Sequence, residues 1–300
     1  MRVAQAFSPA GLSGLFSAHT APQDVYRKGA RGAGLALSRG VKVTVKVEEE
    51  GEEARFECYL NGEKSELGLA RRVFERVARR AGLDGRYRVV VEQEVMVPMG
   101  GGLGSSGASA LATALAVGRA LGTKLSFLEL AREAHAAEVE EGTGLGTVSG
   151  LAVGGAVAVV RPGAPGYDAV VRLVADSSLR VVVGFYASIS KREVLRRDLS
   201  RVNLLGLRAL ADLLREPTIE RFMQCSRSFA EQAGFMTERV RRAVEAAEAA
   251  GALAASQAMI GETVFALADP DVAGDVEEAL RGLGARAFTA EIHWGPAYVL

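Results

Sequence analysis

Hydrophobic and polar residues alternate strictly at positions 41–47, and this period of two predicts a half-buried β-strand. Comparable apolar runs predict further strands at 55–60, 87–97, 151–160, 169–174, 179–187, 258–267 and 285–292. A hairpin turn is expected at 48–53, around Gly51. Glycines interrupt the apolar pieces before residue 41, so we predict a glycine-rich loop for the first 40 residues.

Apolar residues recur at helical spacing elsewhere and predict helices at 67–81, 105–121, 126–141, 203–215, 217–233, 237–250 and 272–281. Ser126 and Glu129 have the spacing of a capping box, and Pro217 suits a first helical turn. Strands and helices mix without a strict βαβ alternation, which favours an α+β fold. We place one unit at 1–176 and a second at 177–300.

Composition excludes several classes of protein. The 300 residues carry a formal net charge of zero, whereas proteins that neutralise nucleic-acid phosphates usually show a basic excess. No charge-free apolar run reaches the length of about 18 residues that suggests a membrane span. The N-terminus lacks the apolar core of a signal peptide, and the two cysteines have no metal-ligand spacing. We therefore expect a cytoplasmic protein that binds neither nucleic acid nor membrane.

The segment 98–110 (PMGGGLGSSGASA) joins a predicted strand to a predicted helix. Its glycines allow the backbone to approach a ligand closely, and the following helix offers free N–H groups for an anion. The sequence is neither a Walker A loop nor a dinucleotide fingerprint. A ligand-free turn is the alternative, but the two serines and the proline favour phosphate binding. Candidate nucleotide-binding residues are Pro98, Gly100, Gly101, Gly102, Leu103, Gly104, Ser105, Ser106 and Gly107.

The stretch from Pro98 to Ser106 reads P-x-x-x-G-L-G-S-S and resembles the signature of the GHMP kinases, a superfamily of small-molecule kinases. The resemblance implies ATP and Mg²⁺ as cofactors. It also implies an N-terminal domain like domain 2 of ribosomal protein S5 and a ferredoxin-like C-terminal domain. Related kinases are often dimers, so a homodimer is compatible with the resemblance, although no heptad seam or apolar patch marks an interface.

Glu138 lies on the apolar stripe of the helix predicted at 126–141, with Phe127, Leu130, Ala131 and Ala134. A carboxylate on such a stripe needs a partner such as Mg²⁺, or it reaches water at the helix end; periodicity alone weighs the two similarly. The resemblance implies that Ser106 and Glu138 hold the metal and take part in catalysis. His135, one turn earlier, is either packed or a substrate contact.

Further segments at 7–16, 29–34, 143–146, 161–166, 216–234 and 259–265 are similar to an archaeal branch of this superfamily. That branch phosphorylates pantoate to 4-phosphopantoate on the way to coenzyme A. Arg31 and Arg161 lie in glycine-rich turns, and arginine can bind a carboxylate with two parallel hydrogen bonds, although a surface position is commoner. Candidate substrate-binding residues are Ser8, Arg31, His135 and Arg161.

Thr147 departs from the resemblance. The related kinases usually read T-G-L-G-D-V, with an aspartate similar to a catalytic base, whereas this chain has Thr147 after Gly146. One alternative is transfer without a dedicated base, since positioning and charge neutralisation carry most phosphoryl-transfer chemistry. His19 or Asp24 could take the role instead. The remaining alternative is a nucleotide- or metabolite-binding protein with an altered substrate or lost catalysis.

Overall fold

The structure is a computed structural model that describes residues 1–49, 55–66, 68–188 and 199–300. The turn predicted at 48–53 and the helix start predicted at residue 67 lie mainly outside these ranges. In chain order the elements are β1 (Arg2–His19), β2 (Gly29–Glu49), β3 (Arg55–Leu60), β4 (Glu63–Lys64), α1 (Gly68–Arg80), β5 (Tyr87–Val95), α2 (Ser105–Leu121), α3 (Phe127–Glu141), α4 (Thr147–Leu151), β6 (Ala156–Arg161), β7 (Ala169–Arg172), β8 (Arg180–Ala187), α5 (Ser200–Arg215), α6 (Ile219–Gln232), α7 (Glu238–Ala249), β9 (Ala254–Gln257), β10 (Glu262–Ala268), α8 (Ala273–Gly282), β11 (Arg286–Glu291) and β12 (Tyr298–Val299).

The first sheet has the strand order β12-β1-β2-β5-β3-β4, and β6 pairs with β2 and β7. Helices α1, α2 and α3 cover one face of this sheet around a core of small and branched side chains, including Val43, Val45 and Leu111. Helix α2 is buried almost all round because its many alanines let the neighbouring elements approach closely. This packing fixes the start of α2 at the end of β5.

The second sheet has the antiparallel order β11-β8-β10-β9, with α7 and α8 packed on one face. This arrangement confirms the expected ferredoxin-like unit and the α+β class. Its other face shares a core with the first sheet and α6, in which Phe222, Phe229 and Phe265 are fully buried. The chain then returns to the first sheet, where β12 pairs with β1. The division at residues 176 and 177 remains a prediction.

The loop predicted for the first 40 residues is wrong. Strands β1 and β2 form a long antiparallel hairpin that runs from the Arg2–Val47 pair to the His19–Gly29 pair. Glycines occur here because other chain segments approach the strands closely: a Cβ at Gly14 would lie 2.7 Å from the Phe222 ring. Both faces of the hairpin are covered over much of its length, so strict alternation is lost.

Two other boundaries and one whole strand also differ from expectation. Residue 151 ends the short helix α4 instead of starting a strand, and β6 begins only at Ala156. Strand β9 was not predicted, because its four residues are mostly small and polar. Helix α6 begins at Ile219, with Thr218 as its N-cap, so Pro217 precedes the helix. Within the described ranges, no helix has the length and hydropathy that crossing a membrane requires.

Candidate active site

The phosphate loop, residues 96–104 between β5 and α2, has a conformation that favours glycine. Gly100, Gly102 and Gly104 have φ values of +74°, +76° and +61°, in the left-handed region that other residues rarely adopt. Gly104 is the N-cap of α2, and no described side chain caps this end of the helix. The first N–H groups of α2 are therefore available to an anion, at the positive end of the helix dipole.

Close packing against the second sheet holds this loop in place. A Cβ at Gly101 would lie 2.7 Å from the Phe185 ring, and a Cβ at Gly102 would lie 2.7 Å from the Met259 carbonyl oxygen. Each glycine thus lets two backbone segments, or a backbone and a ring, meet without a side chain between them. The second unit therefore supports the loop at Gly101 and Gly102.

The loop is also tied to the hairpin of the first sheet. Pro98 and Leu103 are buried, and the Leu103 carbonyl oxygen accepts a 3.1 Å hydrogen bond from the Gly11 amide. Ser105, at the start of α2, is half-buried, whereas Gly107 in the same turn is buried. The candidate nucleotide-binding residues therefore form one continuous segment that lies between the two sheets.

Ser106 and Glu138 meet at the mouth of α2. The Ser106 hydroxyl donates a 2.7 Å hydrogen bond to Glu138 Oε1 and lies 3.3 Å from the Thr143 carbonyl oxygen. Helix α3 brings the carboxylate to this point, and Glu138 is only 1% exposed. The alternative in which Glu138 reaches water at the helix end is therefore wrong.

Two glycines make room around the Glu138 carboxylate. A Cβ at Gly144 would overlap Glu138 Oε1, and a Cβ at Gly107 would lie 3.1 Å from Oε2. A hydroxyl and a carboxylate are hard oxygen donors of the kind that Mg²⁺ prefers, and Mg²⁺ takes few protein ligands when phosphates supply the rest. Among the described residues, no cluster of three His, Cys, Asp or Glu side chains could hold a metal alone. The residues present fit Mg²⁺ shared with phosphates.

A cavity of about 120 Å³ opens beside this pair, between the β1–β2 hairpin, β6 and α4. Most of its wall is apolar and includes Leu12, Leu15, Leu35, Val157 and Val159. Met259 and Ile260 from the second unit also line it. The sequence interpretation did not assign any of these side chains to a site, because buried leucine and valine look alike wherever they occur in a core.

Among the residues that the structure describes, Arg31 is the cation that lines this cavity. Its Nε is buried and has no hydrogen-bond partner among the described residues. Ser17 pairs with Arg31 across the hairpin, and the Ser17 hydroxyl lies 3.1 Å from His19 Nε2. Burial lowers the pKa of His19, and the nearby Arg31 charge lowers it further. A buried donor without a partner is costly, so the Arg31 guanidinium is suited to an anionic ligand.

Arg161 and Ser8 lie away from the cavity wall. Arg161 donates hydrogen bonds of 2.9 Å and 2.8 Å to the carbonyl oxygens of Tyr167 and Asp168, so it fixes its own loop. The Ser8 hydroxyl is fully buried within β1 and donates to the Pro9 carbonyl oxygen at 3.2 Å. Their proposed contact with substrate stays a prediction that these bonds do not favour.

His135 is buried between α3 and the connection that precedes β2. Its Nε2 lies 2.9 Å from the Lys28 carbonyl oxygen, which can only accept, so Nε2 carries the proton. Burial lowers the pKa of His135 to about 4, despite the raising effect of the Lys28 bond. Its Nδ1 is buried without a partner among the described residues. The neutral ring thus holds a backbone segment near the cavity and does not line it.

Thr147 is the first residue of α4 and lines the cavity. Its methyl group lies 2.9 Å and 2.7 Å from where Cβ atoms at Gly11 and Gly104 would be. The side chain therefore packs its methyl against the phosphate loop and the hairpin. Thr147 Cβ also lies 2.7 Å from where a Cβ at Gly107 would be, so this part of the cavity wall is close to the turn of α2 in which Ser106 bonds Glu138.

The profile "GHMP kinases N terminal domain" matches residues 68–155, and "GHMP kinases C terminal" matches residues 210–286. Together they contain the phosphate loop, Glu138, Thr147 and strands β9 and β10 of the second sheet.

Two relatives named pantoate kinase align over nearly the full chain. The Thermococcus kodakarensis protein is 31% identical over 293 residues, 96% of this chain and 95% of the relative. The Methanocaldococcus jannaschii protein is 28% identical over 277 residues, 92% of this chain and 96% of the relative. A solved structure titled "Phosphotransferase related to CoA biosynthesis pathway" has a TM-score of 0.88 at 29% identity, covering 99% of this chain and 98% of that one.

Proposed function

Because the chain belongs to the GHMP kinases, we propose that it transfers the γ-phosphate of ATP to the primary hydroxyl of pantoate. The product, 4-phosphopantoate, is a precursor of coenzyme A. The observation that carries the proposal is the buried Arg31 Nε, which lacks a partner among the described residues and lies in a mainly apolar cavity beside the phosphate loop. The names of the full-length relatives support the same substrate.

The phosphate end of the site uses backbone groups. Amides of residues 100–106 and the N-terminus of α2 would bind the triphosphate oxygens. Ser106 and Glu138 would hold Mg²⁺, which neutralises the charge that develops on the transferred phosphoryl group. Burial of Glu138 excludes water from its carboxylate and fixes its position relative to the Ser106 hydroxyl.

The substrate end uses one charge and an apolar wall. Arg31 would bind the pantoate carboxylate through two parallel hydrogen bonds. Leu15, Val159 and their neighbours would contact the two methyl groups that distinguish pantoate from unbranched hydroxy acids. With both groups held, the primary hydroxyl would face the phosphate loop. Binding in one orientation can itself supply a large part of the rate enhancement.

Thr147 carries no carboxylate, so this chain transfers the phosphoryl group without the usual base. Positioning and charge neutralisation dominate this chemistry. As the new O–P bond forms and the bond to ADP breaks, the hydroxyl proton would pass to an oxygen of the transferred phosphoryl group. The Thr147 hydroxyl would hydrogen-bond to the acceptor hydroxyl and orient it. Thr147 also favours the second candidate function, a GHMP-fold protein that binds nucleotide and metabolite without turnover.

Incubation of the purified protein with ATP, Mg²⁺ and pantoate tests the proposal. ³¹P NMR should detect a phosphomonoester that forms in step with ADP. Turnover of mevalonate, homoserine or a sugar, with none of pantoate, would reject the substrate and keep the kinase class. Calorimetric binding of ATP without turnover of any of these acceptors would favour the non-catalytic alternative.

Two further expectations concern the state of the protein in the cell. The resemblance is compatible with a homodimer, which light scattering would detect as twice the mass of one chain. A cytoplasmic location fits a kinase that uses ATP and a small acid, and fractionation of the source cells would check it.

A further inference from the structure

A buried ion pair joins helix α1 to helix α3. Arg76 Nε lies 2.8 Å from Glu133 Oε2, and the two side chains are 11% and 5% exposed. Arg76 Nη1 also contacts Glu140 Oε1. Tyr26, from the connection between β1 and β2, bonds both members of the Arg76–Glu133 pair. Its hydroxyl donates to Glu133 Oε1 at 2.7 Å and accepts from Arg76 Nη2 at 2.9 Å.

Such a pair contributes little net stability, because the cost of desolvating two charges offsets most of their attraction. Its hydrogen bonds nevertheless fix directions, and here the third partner is a tyrosine on a connection with many exposed residues. The Arg76 guanidinium also lies 5.6 Å from the centre of the Tyr26 ring. The ion pair therefore determines where Tyr26 lies.

Neighbouring contacts extend this control to the backbone around residue 26. The Tyr26 carbonyl oxygen accepts a 2.8 Å hydrogen bond from the Ala164 amide. The Tyr26 ring stacks on Tyr167, with ring centres 5.8 Å apart and planes 11° apart. Two residues after Tyr26, the Lys28 carbonyl oxygen accepts a hydrogen bond from His135 Nε2. Helix α3 and the loop at 162–168 thus hold the connection on two sides.

This fixed connection leads directly into the cavity wall. A Cβ at Gly29 would overlap the Gly163 amide nitrogen, so the two backbones are in close contact. The Ala30 methyl lies 3.0 Å from where a Cβ at Gly146 would be. Arg31 is the next residue and lines the cavity. Any shift of the connection would therefore move the start of β2 and the Arg31 guanidinium with it.

We propose that Tyr26 is a positioning residue whose hydroxyl, held by Arg76 and Glu133, sets the start of β2 so that Arg31 meets the substrate carboxylate. The identity of that carboxylate rests on the proposed function. Tyr26 does not contact the substrate and acts through Arg31, so its effect belongs to acceptor binding and leaves the phosphoryl-transfer step unchanged.

The substitution Tyr26→Phe removes only the hydroxyl. We expect the KM for pantoate to rise about 10-fold, the factor associated with one lost hydrogen bond to a charged group. The kcat and the KM for ATP should stay within about twofold of the unmodified protein. Tyr59→Phe is the matched control, since the Tyr59 hydroxyl also donates to a glutamate, Glu57, at 3.0 Å but lies on β3 and not on the connection that leads to Arg31.

Other results would overturn the proposal. An unchanged KM for pantoate with a lower melting temperature would mean that Tyr26 is only structural, and a fall in kcat alone would place it in the chemistry. Hydrogen exchange at residues 29–33 provides a readout that does not need turnover: Tyr26→Phe should speed exchange there, and Tyr59→Phe should not. If the unmodified protein does not phosphorylate pantoate, the proposed function fails, and unchanged exchange would then reject the positioning role separately.

Discussion

The phosphate loop and the cavity beside it differ in how far their groups are packed and hydrogen-bonded within the protein itself. Around the loop, Gly101 and Gly102 are packed against the second sheet, and Ser106 is hydrogen-bonded to Glu138. In the cavity, Arg31 has a buried Nε without a partner among the described residues. The loop is therefore held in one conformation by the protein itself, whereas the cavity keeps a buried donor that, in the proposed function, would bind the acceptor.

This difference separates two kinds of specificity. Backbone amides bind any phosphate group, so the loop needs glycines and a helix more than it needs particular side chains. In the proposed function, recognition of the acceptor would depend on the Arg31 guanidinium and on apolar walls from several elements. Changes at the loop should therefore affect ATP and catalysis, and changes in the cavity should affect the acceptor.

The largest effect is expected at the metal site. Glu138→Ala should lower kcat about 1,000-fold or more, because a preorganised charge in a water-excluded site is lost. Glu141→Ala, on the same helix but paired with Arg72, is the control and should keep most activity. Steady-state ADP release measures both, and near-normal turnover by Glu138→Ala would remove this carboxylate from the site.

The two candidate arginines provide the next test. Arg31→Ala should raise the KM for pantoate about 100-fold, since a charge-assisted double hydrogen bond is lost. The KM for ATP should change little. Arg161→Ala should cost much less at the acceptor, because Arg161 bonds the carbonyl oxygens of its own loop. The reverse ranking would show that Arg161 binds the substrate.

A smaller effect is expected from filling space behind the phosphate loop. Gly102→Ala combines an unfavourable φ of +76° with a Cβ 2.7 Å from the Met259 carbonyl oxygen. The KM for ATP should rise about 30-fold, in line with a few kcal/mol of strain. Gly82→Ala shares a φ of +69° but has open space around it, so it separates backbone strain from the clash. If both variants raise the KM for ATP equally, the contact between Gly102 and Met259 does not support the loop.

Substitutions at Thr147 should have a modest effect on kcat, and they separate the role of its hydroxyl from that of its methyl group. Thr147→Val keeps the methyl contact with Gly11 and removes the hydroxyl, so kcat should fall about 10-fold. Thr147→Ser keeps the hydroxyl and should stay within about threefold. The two kcat values decide the question: if Thr147→Val is as active as the unmodified protein, the hydroxyl does not orient the acceptor.

Protonation of His135 should affect the stability of the protein in acid and should not affect activity at neutral pH, where the ring is already neutral. Its pKa of about 4 in the folded protein lies below the unfolded value of 6.5. The unfolded state therefore binds the proton first, and stability falls as the pH drops from 6.5 towards about 4. The loss should reach roughly 3 kcal/mol. Urea unfolding across this range measures it, and His135→Gln, which does not titrate, should remove this part of the slope.

Much of the phosphate side could be predicted from sequence because its determinants are local. Glycines, serines and the helix that follows are contiguous in the chain, and the place of Glu138 on an apolar stripe follows from periodicity within one helix. Only the tertiary structure shows that this carboxylate is buried and does not reach water at the helix end. The β1–β2 hairpin could not be predicted in the same way. Gly14 is a strand residue because Phe222, more than 200 positions away in the sequence, packs against it.

The sequence by itself determined the α+β class, the phosphate loop and the helix that carries Glu138, since each depends on residues that are neighbours in the chain. Only the tertiary structure decided that Arg31, and not Arg161, lines the cavity, and that Met259 closes it from the second unit. Both arginines stand in similar local sequence. Their different surroundings arise from strand pairing and from packing between the two sheets, which local sequence patterns do not encode.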